Sequence, residues 1–205
     1  MNYRLTQFQY ENLITAAVSD FKYLTSHQLA CLFFPNKTLR ACQAVLKRMA
    51  GAKMLKRFRH GSKFVYHVKA KDQKWRHTLL VNEFHFALLQ STKGEIAFER
   101  EHRVSQKCIA DMKYTIDGKE FYLELDRGTN KYNFDKYPKH YTVVLVSFGK
   151  KREVPKNYIV TTIEEVRKKG LTLPVEKRRS HENYFEGGER SGFFQKSRKI
   201  RAKRD

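Results

Sequence analysis

The chain has 205 residues, with 42 Lys or Arg against 21 Asp or Glu, so its formal net charge is +21. This charge favours a polyanionic partner, because every phosphate that a Lys or Arg neutralises releases condensed counterions. We expect no membrane partner, since the sequence has neither an apolar span of about 18 residues nor an amphipathic anchor at one end. The N-terminus carries no apolar leader, which favours a cytoplasmic location. Hydrophobic residues make up 40% of the chain, which is enough for folded domains.

The first seventy residues have the pattern of three helices. Apolar side chains recur at helical spacing from Gln7 to Phe21, which predicts the first helix. The segment Thr25 to Gln28 matches a capping box and predicts a short second helix. Asn36 follows a proline and is suited to cap a third helix, which we expect to end at Gly51.

The outer face of the third helix is basic and small. At about 100° per residue, one side of this helix carries the candidate DNA-binding residues Lys37, Arg40, Ala41, Ala44, Lys47 and Arg48. Alanines allow a helix backbone to approach base edges in a major groove, and flanking cations bind phosphate or guanine. An ordinary solvated helix face is the alternative interpretation.

Two basic strands are predicted after the third helix, over residues 53–68, with a turn at His60-Gly61. They add the candidate DNA-binding residues Lys56, Arg57, Arg59 and Lys63. Three helices followed by a basic hairpin resemble a winged helix-turn-helix domain, which we place at residues 1–70. This resemblance implies double-stranded DNA as the partner.

A second domain is predicted over residues 75–172, after a polar linker at 69–74. It starts with a long apolar helix, and three strands follow at 95–104, 107–116 and 119–126, of which the last two are joined by a tight Asp117-Gly118 hairpin turn. Alternation along the third strand places Glu124 and Asp126 on one face, and the hairpin brings Asp111 beside them. Carboxylates this close repel one another, and a divalent cation such as Mg²⁺ relieves the repulsion. The alternative is that Glu124 and Asp126 lie on the solvent face of an edge strand, paired with Arg127 or Lys113.

The rest of the second domain is predicted as a helix over 130–141 that Pro138 disturbs, a strand buried on both faces over 142–148, a short strand over 158–162 and a closing helix over 162–170. This αβββαβ order resembles the restriction-endonuclease-like, or PD-(D/E)xK, core. The resemblance implies that Asp111 and Glu124 bind Mg²⁺ and that a lysine two positions after Glu124 activates water. Asp126 stands in that lysine's place, and the following helix offers Lys131, Lys136 and Lys139, of which Lys136 is the candidate.

The string Phe121-Tyr122-Leu123-Glu124-Leu125-Asp126-Arg127-Gly128-Thr129, together with His77 and Val81-Asn82, resembles the replication-relaxation family of plasmids and other mobile elements. The resemblance covers residues 5–169. It implies an accessory or initiator role in the replication or DNA relaxation of such an element, with its replication or mobilisation proteins as partners. Two alternatives stay open, namely an active Mg²⁺-dependent endonuclease or nickase and a transcriptional regulator whose second domain forms a homodimer.

Residues 173–205 form a basic tail with glycines between the charges. Such a composition predicts disorder in the free protein and contact with DNA in the complex. The sequence as a whole therefore predicts a mixed α/β (α+β) chain of two domains and a tail.

Overall fold

The computed structural model describes residues 6–127, 132–148 and 153–171. Helices and sheets are mixed, as the sequence predicts, and the chain divides into two compact units, Met1–Leu88 and Leu89–Asp205. In chain order the elements are α1 Gln7–Phe21, β1 Leu24–Thr25, α2 Ser26–Phe33, α3 Leu39–Gly51, β2 Lys56–His60, β3 Lys63–His67, α4 Trp75–Ser91, β4 Ile96–Ser105, β5 Cys108–Ile116, β6 Lys119–Asp126, β7 Val143–Ser147, β8 Tyr158–Thr161 and α5 Ile163–Lys169. In the described part of the chain, no helix is long and apolar enough to cross a membrane.

The first unit contains α1, α2 and α3 and an antiparallel sheet with the strand order β1-β3-β2. The predicted capping box of α2 is confirmed, because the Thr25 hydroxyl accepts from the amide of Gln28 and the Gln28 side chain accepts from the amide of Thr25. The cap predicted for α3 is wrong. Thr38, not Asn36, is the N-cap, and its hydroxyl accepts from the Ala41 amide at 3.3 Å.

The boundary between the two units falls inside α4 and not at the polar segment 69–74. Trp75 and Leu79 of α4 pack in a buried cluster with Tyr23. One turn further on, the fully buried Asn82 side chain donates to the backbone carbonyls of Phe21 and Tyr23, at 3.0 and 2.5 Å. The Phe21 carbonyl also accepts from the Tyr23 amide at 2.7 Å, so the Asn82 side chain adds to the hydrogen bonds that close the end of α1. The first turns of α4 therefore complete the core of the first unit.

The second unit is built on a five-stranded sheet with the order β4-β5-β6-β7-β8. The hairpin-linked strands β4, β5 and β6 are antiparallel, whereas β6, β7 and β8 are parallel. The three strands predicted at its start and the doubly buried strand predicted over 142–148 are confirmed. Because β6 is the central strand of the five, its last six residues are all buried.

The helix predicted over 130–141 is wrong for residues 132–141, which contain only a 3-10 turn at Phe134–Lys136. Asn133 stops helix growth locally, since its side chain accepts from the Asp135 amide at 3.0 Å. Tyr132 and Tyr137 pack into the core cluster of the sheet, and this spacing does not form one helical stripe. The predicted tail lies outside the described residues, as does Lys131.

Candidate nucleic-acid interface and carboxylate cluster

The outer face of α3 carries the predicted basic and small residues. Arg40, Ala44 and Lys47 are exposed and Ala41 is half-buried. The opposite face of α3 is apolar and buried in the core of the first unit. This burial fixes the helix and leaves the basic face toward solvent. Lys37 is exposed, but it precedes the N-cap of α3 and does not belong to this face.

Two of the predicted DNA-binding cations are engaged in ion pairs within the first unit. Arg48 on α3 donates to Glu11 on α1 at 2.7 Å, and Lys63 on β3 donates to Glu83 on α4 at 3.3 Å. Exposed pairs of this kind contribute little to stability, but each carboxylate offsets the positive potential of its partner. The remaining cations of α3 and the hairpin therefore offer the stronger phosphate attraction.

The hairpin presents its cations mainly on β2. Lys56, Arg57 and Arg59 are all exposed. The guanidinium of Arg57 lies 4.8 Å from the centre of the Phe64 ring, and Arg59 Nε donates to the Gly61 carbonyl at 3.2 Å. These contacts restrict the two arginine side chains, so less rotamer entropy is lost when either binds an anion.

The end of α3 and the start of the hairpin share one surface depression of about 520 Å³, which we call the basic groove. Its lining residues are Lys47, Ala50, Gly51, Lys53, Leu55, Lys56 and Arg57. Within the described chain, these lining residues include four cations and no carboxylate. The groove thus joins the two basic elements that the sequence singled out separately.

A second candidate site, the carboxylate cluster, lies in the second unit and consists of Asp111, Glu124, Lys136 and Tyr137. Glu124 projects from the central strand β6 and is only 7% exposed. Lys136 Nζ donates to Glu124 Oε1 at 2.6 Å, and the Tyr137 hydroxyl donates to the same oxygen. The segment after β6 thus supplies a cation at Glu124, where position 126 of β6 has an aspartate in place of the expected lysine.

Asp111 is held beside Glu124 where the pairing of β5 and β6 ends. The last paired residues of the two strands are Met112 and Leu123. Beyond them, the Asp111 carboxylate accepts from the Leu125 amide at 3.0 Å. This hydrogen bond takes the place of a backbone bond and fixes the aspartate at the side of β6.

Burial and the nearby Asp111 charge raise the pKa of Glu124, against the opposing hydrogen bonds from Lys136 and Tyr137. Burial and the Glu124 charge raise the pKa of Tyr137 well above its usual value. The Tyr137 hydroxyl therefore stays protonated and remains a donor to Glu124. Carboxylates with perturbed protonation are typical of functional sites.

Asp126 is also buried, at 6% exposure, and lies on β6 next to Ser147 of β7. The interpretation of Glu124 and Asp126 as solvent-facing residues of an edge strand is wrong, because both are buried on the central strand. The described residues contain no group of three or more His, Cys, Asp or Glu side chains placed to hold a metal ion. Of the three predicted carboxylates, Asp111 and Glu124 are a pair whose charges interact. Two carboxylates with bound waters are a ligand set that Mg²⁺ accepts.

The sequence did not single out Tyr137. Its hydroxyl reaches Glu124 because of how residues 132–141 pack on the sheet, and no motif or periodicity marks that packing. Lys136 was a candidate only as one of three lysines on a predicted helix. In the structure Lys136 ends a single 3-10 turn, not the predicted helix, and its ammonium contacts Glu124.

Replacing Glu124 with glutamine is expected to raise the free energy of unfolding at pH 7 by roughly 1 kcal/mol, because a buried charge with a raised pKa disfavours the folded state once it is ionised. Protonated Glu124 stabilises the fold, and this contribution is complete below about pH 4.5, which is the pKa of glutamate in the unfolded chain. This stability is lost as the pH rises through the folded pKa. The variant should lack that loss in urea unfolding curves measured from pH 4 to 8.

Glu120→Gln is the matched control for this substitution, because Glu120 lies on the same strand but is 53% exposed and pairs with Lys113. Its pH profile should follow that of the unmutated protein. If Glu124→Gln proves less stable than the unmutated protein at pH 7, the ionised carboxylate is a stabilising partner of Lys136 and the expectation is wrong.

Comparison with protein-family models, curated proteins and solved structures gives no match for this chain. The basic groove and the carboxylate cluster are thus defined by their own geometry and charge.

Proposed function

We propose that this protein binds double-stranded DNA through α3 and the β2–β3 hairpin, and that it acts as an accessory or initiator in the replication or DNA relaxation of a plasmid or other mobile element. The observation that carries the DNA-binding proposal is the basic groove, where cations of α3 and of β2 line one depression. A phosphate backbone is the ligand that such a concentration of unopposed cations favours.

The topology of the first unit supports this proposal. Its element order α1-β1-α2-α3-β2-β3 and its strand order β1-β3-β2 are those expected of a winged helix-turn-helix domain. In such a domain α3 would enter the major groove and the hairpin would contact the backbone. The exposed Ala44 lies between Arg40 and Lys47 on the face that would approach the bases. The mobile-element role rests on the resemblance of the string 121–129.

A second candidate function, metal-dependent cleavage of a DNA strand, is favoured by the contact between Lys136 and Glu124. The sequence lacks the lysine expected at position 126, and Lys136 supplies a cation at the neighbouring acidic residue instead. Asp111 and Glu124 would hold Mg²⁺, which when bound activates water and stabilises charge on phosphate. Lys136 would hold a positive charge at the reacting phosphate, and Tyr137 would orient Glu124.

Fluorescence anisotropy with a labelled duplex tests the DNA-binding proposal. If the four cations of the basic groove all contact phosphates, the logarithm of the association constant should fall with the logarithm of salt concentration with a slope of about −3.6 or steeper. A labelled polyglutamate of similar length is the control for non-specific charge attraction and should bind more weakly. The proposal fails if the duplex does not bind or binds no better than polyglutamate.

A further inference from the structure

We infer that the basic groove holds the phosphodiester backbone of one DNA strand, and that Lys53 is a phosphate-binding residue within it. The inference rests on the proposed function and adds to it a specific site and a residue outside the predicted DNA-binding set. The groove lies between the C-terminal turn of α3 and the first residues of β2. A backbone lying there would run beside the base-facing surface of α3.

Three lining residues of the groove have short or buried side chains. They are Ala50, Gly51 and Leu55, of which Leu55 is buried in the core. A Cβ atom added at Gly51 would have no heavy atom within 4 Å. The long exposed side chains that line the groove are therefore those of its four cations.

Lys53 has a backbone conformation that lysine rarely adopts. Its φ is +60°, in the left-handed region that favours glycine, and its amide donates to the Ala50 carbonyl at 3.2 Å in the turn that ends α3. The Met54 amide donates to the Met49 carbonyl at 3.1 Å, so the two bonds form a helix cap in which a left-handed residue is usual and glycine is the least strained residue. This cap fixes the backbone of Lys53 beside the groove that the residue lines.

Arg57 also lines the groove and is preorganised for an anion. Its guanidinium lies over the Phe64 ring, and Arg57 is paired in register with Tyr66 across the hairpin. Burial raises the pKa of Tyr66 despite a hydrogen bond from Arg57, so the phenol stays neutral and leaves the arginine charge uncompensated. Arg57 and Lys53 thus present two cations from different elements to one groove.

The test compares Lys53→Gly with Lys22→Gly in anisotropy measurements over a range of salt concentrations. Both substitutions remove one positive charge and replace a residue of positive φ, +60° and +63°, but Lys22 follows α1 and does not line the groove. Lys53→Gly should reduce the salt slope by about 0.9 and weaken selected and unrelated duplexes by the same factor. Lys22→Gly should leave the slope unchanged.

Thermal unfolding separates a loss of binding from a loss of folding. Because glycine adopts a positive φ without strain, Lys53→Gly should melt at the same temperature as the unmutated protein or about 2 °C higher. A variant that is at least as stable and yet binds DNA more weakly has lost a contact and not its fold. A lower melting temperature would contradict the strain assigned to Lys53.

A second pair of variants places a charge in the groove. Gly51→Glu should lower the duplex affinity at least tenfold relative to Gly51→Gln, because the added carboxylate would face the phosphates and both side chains project into open space. If Lys53→Gly matches Lys22→Gly and Gly51→Glu matches Gly51→Gln, the groove does not hold the backbone. The proposed function would still stand if Arg40→Ala weakened binding, whereas an unmutated chain that binds no duplex would remove both.

Discussion

Alanine at Arg40 or at Lys47 is expected to lower the affinity for a preferred duplex by about 1–3 kcal/mol, or roughly five- to 160-fold. Both side chains are exposed on α3, on the face that carries Ala44. If Arg40 reads a base, its loss should reduce the difference in affinity between the preferred and an unrelated duplex. If Lys47 holds a phosphate, its loss should weaken both duplexes equally. A duplex selected from a random pool and an unrelated duplex, measured side by side, distinguish the two roles.

Arg48→Ala is the matched control, because Arg48 is a neighbouring cation on α3 whose guanidinium already binds Glu11. Its removal takes away the same charge and should reduce DNA affinity less than either of the other substitutions. Circular dichroism should show unchanged helix content for all three, since none of these side chains is buried. Equal losses for all three would indicate that only net charge matters, and unchanged affinity for Arg40→Ala and Lys47→Ala would remove α3 as the DNA-binding face.

Local sequence patterns predicted most of the fold. The capping box at Thr25, the Asp117-Gly118 turn and the continuous apolar run of β7 each specify structure through neighbouring residues, and each is present. Both turn residues have positive φ, as this kind of hairpin requires. The residues of α3 alternate between core and solvent as helical periodicity dictates.

Tertiary contacts decided the features that the sequence did not predict. Asn82 and Trp75 hold the first turns of α4 in the core of the first unit. The unit boundary therefore lies inside a helix, where the local composition does not change. Residues 132–141 include Asn133 and Pro138, which disfavour a helix, and the aromatic side chains of Tyr132 and Tyr137 pack on the sheet. The contact of Lys136 with Glu124 depends on that packing, and the sequence therefore offered Lys136 only as one of several lysines.

Removal of Asp111 or Glu124 is expected to abolish any metal-dependent nicking of supercoiled plasmid, with a loss of at least about a hundredfold in rate, because these two carboxylates would be the protein ligands of Mg²⁺. The measurement is conversion of supercoiled to open-circular plasmid in Mg²⁺, in Mn²⁺ and in EDTA. Asp111→Ala and Glu124→Ala should both leave the plasmid intact. Lys136→Ala should reduce nicking while leaving the metal dependence in place, since the ammonium is not a metal ligand.

Glu120→Ala is the control for the loss of an acidic residue from β6, because Glu120 pairs with Lys113 and does not belong to the carboxylate cluster. It should nick at the rate of the unmutated protein. If the unmutated chain retards the plasmid but never nicks it, the second unit has a role in contact with DNA and not in cleavage. The buried Glu124 would then be a structural anion held by Lys136 and Tyr137. Without Glu124, the carboxylate cluster keeps a single carboxylate, that of Asp111. Nicking that survives in Glu124→Ala would therefore place the cleavage site outside the carboxylate cluster.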